Sequence, residues 1–97
     1  MVYRIIYLPK ADQNLLSIDE YLEQFYPSTA SKFFTELDRK VLLLQEMPYI
    51  GEQYPHNSTY RRLVVGDFLV FYIVDEDKQV IQVHRVLHGS RDIERHL

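Results

Sequence analysis

Apolar residues recur every second residue at the start of the chain, every third or fourth residue in the segment that follows, and every second residue again near the end. This pattern predicts a strand, then helices, then further strands. β-Branched and aromatic residues over 2–8 predict a first strand that ends at Pro9. An amphipathic helix is predicted from Lys10 to Phe25, with acidic residues mostly outside its apolar stripe. Pro27 stops this helix, because the residue before a proline is disfavoured in helical conformation. The predicted stripe consists of Leu15, Ile18, Leu22 and Phe25.

A second helix is predicted almost immediately afterwards. Ser28 and Thr29 are suited to cap it, because a hydroxyl can accept hydrogen bonds from the free amides of the first turn. Apolar residues then recur at helical spacing from Ala30 until residues 47–48. So short a connection between two helices predicts an antiparallel helical hairpin.

The remainder of the chain is predicted to be mostly β-structure. Residues 48–58 contain two prolines and a glycine and predict a loop. Gly66-Asp67 predicts a two-residue hairpin turn, and residues 75–78 predict a longer one. Residues 90–96, after Gly89, are predicted as a short helix or a tail. The three strands predicted here are Tyr60–Val65, Phe68–Val74 and Gln79–Leu87.

The order β-α-α-β-β-β predicts an α+β fold in which the two-helix hairpin covers one face of an antiparallel sheet. With 97 residues the chain is expected to form a single domain, 1–97. The pattern leaves open which strand pairs with the first one. Alternation in the last strand divides its side chains into two sets. The set expected under the helices is Ile81, Val83, Arg85 and Leu87. The set expected on the open face is Val80, Gln82, His84, Val86 and His88. The register of the preceding strand, and with it the side on which Arg62 lies, is left open.

Composition excludes several classes of protein. There is no cysteine, so disulfides, thiolate zinc sites and cysteine nucleophiles are excluded. No apolar run approaches the ~20 residues of a membrane span, and we expect a cytoplasmic protein without a membrane partner. His84 and His88 are separated by about 13 Å if they lie on one strand, too far to share an ion. The sequence contains neither a glycine-rich phosphate loop nor a serine nucleophile motif, so we expect no metal and no cofactor.

The net charge is −3, but basic residues are concentrated in two stretches, 60–66 and 84–97. In these stretches, Asp92 and Glu94 stand against five arginines. If the stretches meet, they form a positive surface suited to an anionic ligand. The alternative is ordinary surface charge, with Arg85 paired to an acid. The candidate residues are Arg61, Arg62, His84, Arg85, His88 and Arg91.

Two segments resemble a known family. Residues 60–72 (YRRLVVGDFLVFY) and 83–93 (VHRVLHGSRDI) are similar to the C-terminal half of RelE/ParE toxins. Pro27-x-x-Ala30 and residues 47–51 (MPYIG) agree with that superfamily. The resemblance covers nearly the whole chain and is specific for the superfamily rather than for one activity.

The resemblance implies the toxin of a type II toxin–antitoxin pair, a growth inhibitor of the kind associated with plasmid stabilisation, neutralised by a cognate antitoxin. RelE-like members cut messenger RNA in the ribosomal A site. ParE-like members inhibit DNA gyrase and are not nucleases. The target implied is therefore either DNA gyrase or the ribosome with its mRNA.

The residues favour the ParE-like branch. RNA cleavage needs a base, an acid and cations around the reacting phosphate. Leu69 stands where RelE-like nucleases commonly have an arginine, and residues 60–65 contain no lysine. The run 85–92 is more like ParE, and overall acidity argues against a ribosome-bound nuclease. We therefore expect a gyrase inhibitor, with residues 91–97 as its candidate gyrase contact by family analogy.

Two alternatives remain open. The first is a RelE-like mRNA interferase, an endoribonuclease. Its candidate catalytic residues, which apply only in that case, are Arg62, Arg85, His88 and Arg91. His88 would be the acid or base, and the arginines would hold the phosphate. The second is a non-toxic remnant that only binds an antitoxin peptide, through a groove formed by exposed apolar residues around the helical hairpin.

Overall fold

A computed structural model of the chain describes residues 2–91 and 93–97. Met1 and Asp92 lie outside the described residues. Asp92 is one of the two acidic residues counted in the basic stretches of the sequence. The elements are β1 Arg4–Tyr7, α1 Pro9–Phe25, α2 Pro27–Glu46, β2 Glu52–Gln53, β3 Arg61–Val65, β4 Phe68–Asp75, β5 Val80–His88 and α3 Ile93–His96. The predicted β-α-α-β-β-β order is confirmed. Of the two alternatives for residues 90–96, the short helix is formed, as α3, and β2 is an additional strand that was not predicted.

The two long helices form the predicted hairpin around Tyr26. Tyr26 both ends α1, its N–H donating to the Leu22 carbonyl oxygen at 2.6 Å, and serves as the N-cap of α2. The cap prediction for Ser28 and Thr29 is wrong, because Pro27 occupies the first turn, where its missing N–H costs nothing, and draws the helix start forward. Within the described ranges, neither helix has the length and apolar composition that a bilayer crossing requires.

Apolar side chains of both helices pack on one face of the sheet. In α1 the buried residues are Ala11, Ile18 and Leu22, whereas Phe25, predicted on the same stripe, is 57% exposed at the hairpin tip. In α2 the buried residues are Ala30, Phe33, Leu37, Val41 and Leu44. Except for Leu44, these helical residues pack against sheet residues that include Val65, Val70, Val83 and Val86. Leu44 packs in a separate cluster with Tyr72 and Ile81.

The five strands are arranged in the order β1-β5-β4-β3-β2. β1 pairs with β5 in parallel, with Ile5 opposite Ile81, so the sheet is mixed. The predicted antiparallel arrangement is confirmed for β3, β4 and β5, and the parallel pair involves the first strand, whose partner the sequence pattern left open. The elements from α1 to β4 lie between β1 and β5 in the sequence, and a parallel pair needs such a long connection. The predicted loop 48–58 contains the short edge strand β2, whose Glu52 lies opposite Arg62.

The turn between β3 and β4 is the one predicted. Gly66 has φ +58°, and positive φ at the first central position is the pattern of a type II′ turn. Glycine adopts this conformation without steric cost, and type II′ turns match the twist of the flanking strands. The turn sets the register of the hairpin, in which Val65 lies opposite Phe68.

A β-bulge in β5 reverses the predicted sorting of its side chains. Val83 lies opposite Tyr72, but Arg85 lies opposite Phe71, so His84 is an extra residue in the ladder. An extra residue shifts the alternation of every side chain beyond it. Val86 therefore packs under the helices, and Leu87 packs with Phe71 on the other face. The predicted sides of Arg85, Val86, Leu87 and His88 are exchanged for this reason.

Candidate interaction surfaces

Arg62 and Arg85 lie together on the face of the sheet that the helices leave uncovered, here called the helix-free face. Both are opposite Phe71, one on β3 and the other on β5. Two strand spacings place their backbones roughly 10 Å apart. Phe71 belongs to a buried cluster with Tyr54 and Leu87, which contains no residue of α1 or α2. The sheet thus brings together one arginine from each basic stretch.

The surroundings of Arg62 limit how freely its charge can act. Its guanidinium carbon lies 5.4 Å from the centre of the Tyr54 ring, and Nη2 lies 3.4 Å from Glu52 Oε1. Arg61, the preceding residue, faces the other way, and its Nη1 donates to the Gly51 carbonyl oxygen at 2.9 Å. Adjacent strand residues point to opposite faces, so the two arginines cannot hold one ligand together.

His84 lies beside Arg85 because of the bulge. Its ring is 5.3 Å from the Tyr60 ring in an edge-on arrangement, and Nε2 is 3.3 Å from Gln82 Oε1. Burial, and secondly the positive charge of Arg85, lower the pKa of His84 below its ordinary 6.5. The imidazole is consequently neutral at pH 7.

A cleft of about 1080 Å³ lies between the helical hairpin and the end of the sheet at the β3–β4 turn. We call it the helix–sheet cleft. Tyr21 and Tyr26 line it from the helices and are 51% and 53% exposed. His88 and Arg91 line it from the end of β5 and the segment that follows. The cleft therefore combines aromatic walls with charged side chains of both signs, which are Lys32, Glu36, Asp67 and Arg91.

The environment of His88 determines its tautomer. The Ser90 backbone N–H donates to His88 Nδ1 at 3.1 Å, and Ser90 Oγ lies 2.7 Å from the same nitrogen. A backbone N–H can only donate, so Nδ1 carries a lone pair and the neutral ring has its hydrogen on Nε2. The ring also packs edge-on against Phe68, 5.3 Å away. Proton transfer at Nδ1 would have to break the contact with Ser90, which leaves Nε2 as the available group.

The structure divides the four residues predicted for RNA cleavage into two pairs. Arg62 and Arg85 lie on the helix-free face, whereas His88 and Arg91 line the helix–sheet cleft. Arg62 shares its side with His84 and not with His88.

The aromatic walls of the cleft are the feature that sequence reasoning missed. Tyr21 lies outside the buried stripe of α1, and Tyr26 lies between the two helices. This was a possible signal, because exposed large aromatic residues that lie close together indicate a binding surface. Within residues 2–91 and 93–97, no three histidine, aspartate or glutamate side chains are grouped as a metal site requires.

A family profile identifies the class of protein to which this fold belongs. The profile described as "ParE toxin of type II toxin-antitoxin system, parDE" matches residues 5–93. The match spans most of the chain, and the protein therefore belongs to this family of type II toxin–antitoxin toxins. The recognition of a RelE/ParE-type toxin from the sequence is confirmed.

Solved structures share the fold. A chain of the chromosomal ParDE toxin–antitoxin system from P. aeruginosa superposes with a TM-score of 0.73 and is 21% identical, covering 90% of this chain and 96% of that one. A chain of the RelBE2 toxin–antitoxin complex from Mycobacterium tuberculosis superposes with a TM-score of 0.62 and is 14% identical, covering 91% and 99% respectively. At these identities the likeness concerns the fold alone. Comparison with curated protein sequences finds no significant match.

Proposed function

We propose that this toxin inhibits DNA gyrase, in the manner of ParE-like members, and does not cleave messenger RNA. The observation that carries the proposal is the division of Arg62 and Arg85 from His88 and Arg91 between two surfaces. The match to a ParE profile supports the same branch.

The chemistry of RNA cleavage explains why this division matters. The base, the acid and the cations must all be within hydrogen-bond reach of one phosphodiester. Arginines on the helix-free face and a histidine in the cleft do not meet that requirement together. Leu69, which stands where RelE-like nucleases commonly have an arginine, packs instead in the apolar cluster of Phe71 and Leu87. The helix-free face thus lacks one of the cations such a nuclease uses.

One observation favours an mRNA interferase as the second candidate. Arg62 and Arg85 flank Phe71 on a face that α1 and α2 do not cover, and guanidinium groups are well suited to phosphate oxygens. In that case the catalytic residues would be Arg62, Arg85, His88 and Arg91, as the resemblance implies.

We further propose that the cognate antitoxin docks in the helix–sheet cleft. Tyr21, Tyr26 and Phe33 provide an apolar wall that suits the apolar face of an amphipathic helix. Arg91 on the opposite side and Lys32 on α2 suit acidic residues of the antitoxin. Two solved structures with this fold, from the ParDE and RelBE2 systems, both come from toxin–antitoxin systems, and this supports an antitoxin partner here.

The target is tested with two assays in parallel. The purified protein is added to gyrase supercoiling reactions, and message integrity is followed after induction of the protein in cells. We expect loss of supercoiling with intact messages. Codon-positioned breaks that disappear in His88→Ala or Arg62→Ala would overturn the gyrase proposal in favour of the interferase. Antitoxin binding without growth arrest would identify the non-toxic remnant.

The gyrase contact is tested within the same supercoiling assay. Residues 91–97 are our candidate contact by family analogy, and α3 presents an exposed Arg95. Arg95→Glu is expected to weaken inhibition. Arg39→Glu, which changes an exposed arginine of α2, is the matched control and is expected to leave inhibition unchanged. Equal inhibition by both variants would refute the contact.

The antitoxin site is tested with the protein encoded by the neighbouring reading frame, which we expect to be small and acidic. Tyr21→Glu introduces a charge into the cleft wall and is expected to weaken binding by at least about tenfold. Leu42→Glu is the matched control, because Leu42 is 58% exposed on α2 and does not line the cleft. If both variants bind as the wild type does, the cleft is not the docking surface.

A further inference from the structure

A second cavity, of about 360 Å³, lies where β1 leads into α1 beside the bulge of β5. Its walls include Leu8, Lys10, Tyr60, His84, Arg85 and Leu97. It is distinct from the helix–sheet cleft, with which it shares no lining residue. We call it the bulge pocket.

The bulge concentrates basic groups at this pocket. A regular strand would point His84 and Arg85 to opposite faces, but the extra residue lets both line the same cavity. Lys10, from the first turn of α1, adds a third basic side chain. Among the described residues that line the pocket, none is acidic. The side chains that line the pocket therefore carry net positive charge, although the protein as a whole is acidic.

We propose that the bulge pocket binds the phosphate group of a small phosphorylated ligand of mononucleotide size. A guanidinium group and an ammonium group are the side chains that most often hold phosphate oxygens. The ring of Tyr60 and the apolar side chains of Leu8 and Leu97 provide contacts for the organic part of the ligand. The volume is in the lower range of small-molecule sites. This inference is independent of the proposed gyrase inhibition.

His84 gives the proposal a second observable. Its neighbours in the pocket are Lys10, Arg85 and Tyr60. Arg85 already disfavours the imidazolium form, and a bound dianion would offset that effect and raise the pKa of His84. By linkage, the dianion must then bind more tightly as the pH falls through the range in which His84 takes up its proton. Sulfate is suitable for this measurement, because it stays a dianion at these pH values.

The test is an NMR titration of the full chain with three probes, namely AMP, adenosine and inorganic sulfate, at constant ionic strength. We expect AMP to shift the signals of His84 and Arg85, sulfate to shift them with lower affinity, and adenosine to leave them unchanged. Arg85→Gln and Lys10→Gln should each weaken AMP binding by about tenfold. Arg39→Gln, which removes the same charge from an exposed position on α2, should bind AMP as the wild type does.

Four other outcomes would each overturn the proposal. If adenosine bound as tightly as AMP, the phosphate group would not be what the pocket recognises. If sulfate bound and AMP did not, the pocket would bind free anions and not a phosphorylated organic ligand. Absence of pocket shifts at about 10 mM AMP would exclude a useful site. Equal affinities for the wild type, Arg85→Gln and Lys10→Gln would show that the pocket cations are not involved. Lys10 is exposed, so its variant keeps the test decisive even if Arg85→Gln folds poorly.

Discussion

Tyr72 connects the sheet to the segment that follows α2. We expect removal of its hydroxyl, a single atom, to lower the free energy of unfolding substantially. The side chain is fully buried. Its oxygen accepts a hydrogen bond from the Gly51 N–H at 2.9 Å and donates one to the Pro48 carbonyl oxygen at 2.9 Å. Burial raises the pKa of Tyr72, so the hydroxyl stays protonated and able to donate. One phenol therefore satisfies two backbone groups of a loop that carries β2.

The magnitude follows from what Tyr72→Phe leaves unpaired. The Gly51 N–H is buried in this hydrogen bond, and a buried donor without a partner costs about 1–3 kcal/mol. The Pro48 carbonyl is only partly buried and can turn to water, so it adds little. We expect the free energy of unfolding to fall by about 2 kcal/mol. For a chain of this length that corresponds to a decrease in Tm of roughly 8–16 °C.

The assay is urea unfolding followed by circular dichroism, with Tm measured in parallel. Tyr21→Phe is the matched control, because Tyr21 is 51% exposed and loses only a solvated hydroxyl. A Tyr72→Phe variant within about 0.5 kcal/mol of the control would refute the assignment of these hydrogen bonds.

The same contact makes Gly51 a second test. A Cβ at Gly51 would lie 2.5 Å from Tyr72 Oη and 2.8 Å from the Arg62 carbonyl oxygen. Gly51→Ala is therefore expected to destabilise the protein. Tyr72→Phe in the same chain should not rescue it, because the clash with the Arg62 backbone remains. Full rescue would show that the hydroxyl was the sole obstacle.

Three further predictions concern stability. Gly66→Ala, at φ +58°, should cost about 1 kcal/mol by urea unfolding, whereas Gly89→Ala, whose Cβ would meet only ordinary contacts, should be nearly neutral; equal costs would contradict the turn assignment. Asn14→Ala should lower the free energy of unfolding by about 1–2 kcal/mol, because Asn14 Oδ1 accepts a hydrogen bond from the Val86 N–H at 3.1 Å, on a part of β5 that does not pair with β1. Asn14→Asp keeps an acceptor at this position and should destabilise the protein less. Burial, with two neighbouring aspartates, raises the pKa of Tyr7 to about 12. The folded state therefore keeps a proton that the unfolded state loses near pH 10, and the free energy of unfolding should fall between pH 10 and 12. Tyr7→Phe should show a smaller decrease over this range, and a pH profile identical to that of the wild type would contradict the raised pKa.

The candidate surfaces could be anticipated in part. The basic residues of β3 and β5 were identifiable from the sequence, because arginine and histidine in these strands stand out in an acidic chain. Their division between the helix-free face and the helix–sheet cleft was not, because a single extra residue at His84 exchanges the sides of Arg85 and His88. No local composition marks that bulge.

The sequence by itself determined the helical hairpin, the strands from Arg61 to His88 and the turn at Gly66, and it indicated the toxin family. The helices, the strands and the turn depend on hydrophobic periodicity and on proline and glycine, whose effects are limited to a few neighbouring residues. Only the tertiary structure decided the parallel pairing of β1 with β5, the bulge and the walls of the two cavities. Those depend on which distant segments pair and pack together. The energies that select one pairing are summed over the whole core and are not encoded at any single position.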